Sequence, residues 1–101
     1  MNKIDYRLGR TTYEMLTLKL LTLGDSTIAK VTSDLHSRNI IVSESTIFGV
    51  LYLLENRGCV ERYDNKIYRI NEFGREHLNT LLLNWCDINR SVSNVITLEG
   101  I

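Results

Sequence analysis

The chain has no proline, only two cysteines, no excess of either charge, and no apolar run long enough to cross a bilayer. Each shortage excludes something. Without proline nothing interrupts a helix, which fits a chain built mostly of helices. Cys59 and Cys86 are too few for a disulfide framework, so both read as small core or interface hydrophobes in a reducing compartment. Twelve basic and twelve acidic residues cancel, so the composition does not announce nucleic acid. Any positive surface must be concentrated by folding. The apolar stretch around Met15 to Leu23 is broken by Thr17, Lys19 and Thr22, which argues against a signal peptide and predicts a cytoplasmic protein with no membrane partner. No nucleophile elbow, glycine-rich phosphate loop or metal-ligand spacing is present, so the chain reads as a non-enzyme that needs no metal or other cofactor. His77 and Cys86 stand nine residues apart on one helix, about half a revolution round, and do not share a ligand. His36 is expected on the solvated side of its helix.

What is there is periodicity. The 101 residues, 44% of them hydrophobic, suit one compact unit. Residues 1 to 10 carry Lys3, Arg7 and Arg10 and read as a loose arm or a short lead-in helix. Thr11 to Leu23 is apolar on most sides and predicts a buried helix ended by Gly24. Asp25 or Ser26 is expected to cap a second helix with the stripe Ile28, Val31, Leu35. The β-branched run Ile40, Ile41, Val42 predicts a short strand. Ser43 then caps a third helix with Ile47, Val50, Leu51 and Leu54 on its buried side, ending at Gly58. A hairpin follows, Cys59 to Tyr63 and Lys66 or Ile67 to Ile70. If Val60 shares the core face with Tyr68 and Ile70, its loop is Asp64, Asn65, Lys66, with Asn65 or Lys66 left-handed.

Asn71 is an N-cap for the last segment, Glu72 to about Leu98, which repeats with period seven. Leu78, Trp85 and Val92 occupy one heptad position, and Leu81, Ile88 and Val95 another, with Leu82 widening the stripe. That seam predicts a homodimer. The expected fold is mainly α with a small β-hairpin: a winged helix-turn-helix over 1–71 and a long C-terminal dimerisation helix over 72–101, as one unit.

The stretch YRINEFGREHL, Tyr68 to Leu78, resembles the wing-to-last-helix junction of the PadR family of transcriptional regulators, which commonly has Thr where Asn71 stands. STIFGVLYLLENRGCVE, Ser45 to Glu61, is similar to that family's third-helix pattern, and YEMLTLKLL from Tyr13 to its opening helix. The resemblance covers roughly residues 8 to 96 and is strongest to small multidrug-binding members with a single C-terminal helix. It implies that Trp85 faces its counterpart in a second subunit and that the pair holds a planar aromatic ligand. Leu8, Thr11, Met15 and Asn89 would then lie beside Trp85. Read without the resemblance, Trp85 is a packed interface residue. The chain departs from the family in having Tyr52 and Leu53 where basic residues are common, and in its short wing. Both changes reduce phosphate contacts.

A recognition helix enters the major groove by its N-terminal turns. On the third helix this presents Ser43, Ser45, Thr46, Gly49 and Tyr52 to base edges, although Ser43 also caps. Arg38, Asn39, Arg62, Asn65 and Lys66 are candidates for DNA-backbone contacts. The implied partner is double-stranded DNA with a pseudo-palindromic operator, and the implied role a transcriptional regulator, a repressor that senses an aromatic ligand. Two alternatives stay open: a winged-helix DNA adaptor for plasmid or phage segregation, and a protein-interaction module that has lost DNA binding. Exposure of Phe48, Tyr52 and Leu53 together would favour a protein partner, and packing beneath the wing would favour DNA.

Overall fold

In the computed structural model, which describes residues 9–100 and side chains from 9 to 91, the order is α1 (Arg10–Thr22), α2 (Ile28–His36), α3 (Glu44–Asn56), β1 (Val60–Tyr63), β2 (Ile67–Ile70) and α4 (Glu72–Gly100). Helices α1, α2 and α3 bury Leu18, Leu21, Val31, Leu35, Ile47, Leu51 and Leu54 against one another, and the hairpin closes one side with Cys59, Val60, Tyr68 and Ile70. The stripe anticipated for α3, Ile47, Val50, Leu51 and Leu54, is the one buried.

Helices α2 and α3 each stop in a left-handed residue with paired amide bonds behind it. After α2 it is Asn39, φ 67°: its N–H donates to His36 O, and Ile40 N–H donates to Leu35 O. After α3 it is Gly58, φ 80°, with Gly58 N–H donating to Glu55 O and Cys59 N–H to Leu54 O. Both arrangements return the chain at once while satisfying helix-end carbonyls.

The α2 ending explains why the strand expected at Ile40 to Val42 does not form. Ile40 has spent its amide on the helix end. His36 Nε2 lies 2.6 Å from the carbonyl oxygen of Val42 and 3.2 Å from its amide nitrogen. His36 is exposed, as expected, yet its ring ties down Val42, so the amides of Ile40 and Val42 are both taken by α2 and its end. The third strand-like contact is made elsewhere. Ser26 N–H donates to Tyr68 O at 3.0 Å and accepts through its carbonyl from Tyr68 N–H at 2.7 Å. Neither Ser26 nor Asp25 therefore caps α2. Thr27 does, accepting from Lys30 N–H at 3.2 Å, and the Asp25 carboxylate accepts from the Tyr63 hydroxyl at 2.6 Å.

The hairpin pairs Val60 with Ile70 and Tyr63 with Ile67, so the loop is Asp64, Asn65, Lys66 and the inward face is Val60, Tyr68, Ile70, as the alternation required. Asn65 is left-handed, and so is Asp64. Ser43 caps α3 through Thr46 N–H, and Asn71 caps the start of α4 through Gly74 N–H.

Helix α4 begins inside the core and then leaves it. Leu78 and Leu81, read from the heptads as dimer contacts, are buried in the chain's own core, with Leu82 packed partly against it. The correction has a simple cause: the first turns of α4 lie along α1, so the same apolar face serves the domain first. Farther on, Leu83, Trp85 and Ile88 are exposed. Cys59 is a core residue, whereas Cys86 is exposed rather than packed. Val92 and Val95, further expected dimer contacts, and Leu8, an expected ligand contact, lie outside the residues whose side chains are described. Among the described residues no helix is long and apolar enough to cross a membrane.

Candidate nucleic-acid interface

At about 100° per residue, the exposed arc of α3 centres on Ser45, Gly49 and Tyr52, with Thr46 and Leu53 on one flank and Phe48 on the other. Each flank opens on a groove. On the Thr46 side the groove is about 320 Å³ and its far wall is Arg10 and Tyr13 of α1. On the Phe48 side it is about 400 Å³ and its far wall is the wing, with Arg62, Asn65 and Lys66. A polar and aromatic helix face thus lies between two edges that both bring positive charge. Folding brings Arg10, Arg62 and Lys66 to the two edges of this face, with Arg62 paired to Glu55 and Glu44 exposed on the first turn of α3.

The sequence-derived candidates divide by what their side chains already do. Ser43 and Thr46 form a cap: Ser43 Oγ accepts from Thr46 N–H at 3.1 Å and lies 3.0 Å from Thr46 Oγ1. The capping role of Ser43 is therefore realised, and its hydroxyl has little left to offer a base. Ser45 is exposed on the same turn. Gly49 has open space where a Cβ would stand, so a groove floor can approach its backbone. Tyr52 is exposed and stacks on Phe48, ring centroids 6.1 Å apart.

The backbone-contact candidates are less free. Arg38 donates to Asp34 O at 3.0 Å and to Ser37 Oγ at 3.4 Å, and it lines a different groove beside Lys30 and Asp34. Asn39 is committed to ending α2. Arg62 reaches Glu55 and the carbonyl of Asn65, both at 3.4 Å. Lys66 stands at the tip of the wing, and among the described residues it has no ion-pair partner.

The wing itself is anchored. Tyr63 holds Asp25 through its hydroxyl, which pushes the phenol above its ordinary range, and the Arg69 guanidinium sits 4.9 Å over the same ring. Tyr68 is also raised, by burial first.

Of the residues proposed around a ligand, Thr11 is exposed at the start of α1, but Met15 is in the core and does not face solvent. Trp85 is 46% exposed on α4, and Asn89 is exposed one turn on. Two residues bordering the α3 arc, Arg10 and Phe48, are not among the sequence-derived candidates. Arg10 reads locally as part of the N-terminal segment, because nothing local tells that α1 starts beside α3. Phe48 was weighed only as part of an aromatic cluster, although its spacing from Ser45 places it beside the exposed arc.

The architecture has close parallels. A transcriptional regulator from Clostridium thermocellum superposes with a TM-score of 0.77 at 20% identity, over 93% of this chain and 96% of that one. A PadR family transcription regulator from Clostridium difficile gives 0.75 at 17% identity, over 83% and 97%. A PadR-like transcription factor from Bacteroides fragilis gives 0.72 at 20% identity, over 93% and 99%. The fold is PadR-like. No family model and no curated protein matches the sequence. At these identities the likeness is one of fold, spanning 83% to 93% of this chain.

Proposed function

We propose that the protein is a dimeric, DNA-binding transcriptional regulator of the PadR type. The observation that carries this reading is the α3 surface: an exposed arc of Ser45, Gly49 and Tyr52 between Arg10 on one side and Arg62 and Lys66 on the other. Hydroxyl side chains on such an arc can donate to or accept from base edges, and the flanking cations fix the helix by phosphate contacts. With few cations free, non-specific affinity should be low and the salt slope modest. The three PadR-like structures, each described as a transcription regulator or factor, support the same reading.

Dimerisation follows from α4. Its buried face, Leu78 and Leu81, continues along the same side into exposed Trp85 and Ile88, which nothing in the described chain covers. A helix that leaves its domain with an apolar stripe on one side is stabilised by a second copy laid along it. Two recognition helices would then address half-sites about 34–36 Å apart. In the finer form of the proposal the dimer is a repressor. A planar aromatic compound between the two Trp85 rings would alter the spacing of the paired domains, and it acts only if it binds one spacing better.

The test is a gel shift with the promoter region of the protein's own gene, with and without planar aromatic compounds. A specific complex weakened by salt is expected. No shift at low salt removes the DNA reading, and Trp85 fluorescence that no such compound changes removes ligand sensing.

A second reading has its own observation. Phe48 and Tyr52 are exposed together, each 53% accessible, as in a surface that docks protein. Leu53 does not join them, because it lies half-buried on the opposite flank.

A further inference from the structure

Hydroxyl groups account for one part of the α3 surface and leave its most apolar part unused. Phe48 and Tyr52 stand one turn apart on the same side of the helix, their rings stacked at 27° between planes. An exposed phenylalanine is unfavourable in water by its apolar area, so its position asks for an apolar counterpart. The surroundings say what kind. The groove that Phe48 borders is walled by Arg62, Asn65 and Lys66 from the wing and by Ile28 and Tyr68 beneath. Beside the aromatic pair, on the exposed arc, are Ser45 and Gly49. An aromatic ring between two guanidinium- or ammonium-bearing edges suits a partner that is densely anionic at its margins and carries small apolar groups between them. Duplex DNA has that pattern. On its major-groove edge the apolar group is the thymine 5-methyl, and an apolar side chain is the matching reader.

We propose that Phe48 is a specificity-determining residue that packs on thymine 5-methyl groups, with Tyr52 stacked behind it and Arg62 and Lys66 holding the phosphates alongside. The inference rests on the DNA-binding reading above and adds a base preference to it: each half-site carries thymine where Phe48 lands. The open space over Gly49 lets the helix sink far enough for the ring to reach the base edge. Because Phe48 is more than half exposed, shortening it removes little packing from the folded domain.

The experiment selects duplexes from a randomised pool with the wild-type protein. The selected half-site is then resynthesised with deoxyuridine at each thymine in turn, which deletes one methyl group and nothing else. At the contacted thymine the wild type should lose about fourfold in affinity, the equivalent of one methylene-sized group returned to water. Phe48→Ala should bind the thymine and deoxyuridine duplexes alike, and Phe48→Leu should keep part of the difference. Thermal melting of both variants checks that they remain folded. Wild-type binding that is indifferent to deoxyuridine at every thymine overturns the inference and leaves the DNA reading standing. So does discrimination that persists in Phe48→Ala. If no sequence is enriched, the DNA reading falls and takes this inference with it.

Discussion

The side-chain amide of Asn71 reinforces the joint where the backbone of Asn71 already meets Cys59 O: its Nδ2 donates to Gly58 O at 2.8 Å, just past the end of α3, and reaches Glu61 Oε2 at 3.4 Å. Its Oδ1 meanwhile accepts from Gly74 N–H, also at 2.8 Å, at the start of α4. One side chain therefore fixes the angle at which the long helix leaves the winged domain. Gly74 completes the joint, since a methyl group there would overlap the carbonyl oxygen of Cys59.

Asn71→Ala loses the cap and both amide N–H bonds and should cost about 2 kcal/mol. Asn71→Thr keeps an acceptor for the cap and loses the bonds to Gly58 and Glu61, so it should cost about half as much. Gly74→Ala forces backbone apart and should cost about 3 kcal/mol. Urea unfolding of the three variants checks the order. Equal stabilities of Asn71→Ala and Asn71→Thr would show that the cap contributes nothing and that the amide N–H bonds alone matter.

Glu14 is buried on α1, with Oε1 3.5 Å from Arg57 Nη1 and 3.4 Å from His77 Nε2. Its partners are much more exposed than it is, and this makes the predicted costs unequal. Glu14→Gln leaves Arg57 and His77 with access to solvent and should cost about 1 kcal/mol. Replacing both Arg57 and His77 by Ala strands a buried carboxylate and should cost about 3 kcal/mol. Chemical denaturation of the single and double variants would read the asymmetry, and a costlier Glu14→Gln would contradict it.

Tyr63 gives a pH prediction. The hydrogen bond to Asp25, then burial, raises the phenol above its ordinary value of about 10. A phenol whose folded value is raised contributes stability that is complete below the ordinary value and is lost as pH climbs through the higher folded value. Wing anchoring should therefore be flat near neutrality and fail only in alkali. In a 295 nm titration, Asp25→Ala should bring one phenol step down toward the ordinary value, whereas Tyr63→Phe should abolish that step. No movement in Asp25→Ala would mean that the bond does not hold in solution.

For DNA contacts, Lys66→Ala should weaken binding of all sequences about equally and reduce the salt slope by about 1. Arg10→Ala should do the same from the opposite groove. Ser45→Ala should instead narrow the gap between specific and non-specific duplexes. Anisotropy titrations at several salt concentrations separate the two behaviours, and a Ser45→Ala effect that is uniform across sequences would remove base readout from that residue.

For the dimer, Ile88→Asp should yield a folded monomer in sedimentation at micromolar concentration, because Ile88 is exposed within a single chain. A variant that stays dimeric would place the contact elsewhere.

The four helices and the hairpin in their order, the caps at Ser43 and Asn71, the stripe on α3 and the hairpin register were legible in the sequence, while the strand expected between α2 and α3 is absent. They depend on neighbours within a few positions, and the alternation of Val60, Tyr68 and Ile70 allows only one pairing with the core on one side. The misreadings share a cause. Ile40 to Val42 has strand propensity, but the amides of Ile40 and Val42 are held by the end of α2 and by His36. Leu78 and Leu81 fit a dimer seam by spacing, but spacing does not tell whether a face meets its own domain first.

Local chemistry by itself determined most helix ends, the hairpin turn and the apolar sides of the elements, because capping and periodicity are short-range effects. It missed the α2 cap and the lost strand, where distant or neighbouring groups compete for the same amides. Only the tertiary structure decided which distant groups meet: Arg10 across from the α3 arc, Glu14 against Arg57 and His77, Ser26 on Tyr68. Those choices depend on how whole elements pack, and packing is settled by the sum of many small contacts rather than by any one residue's preference.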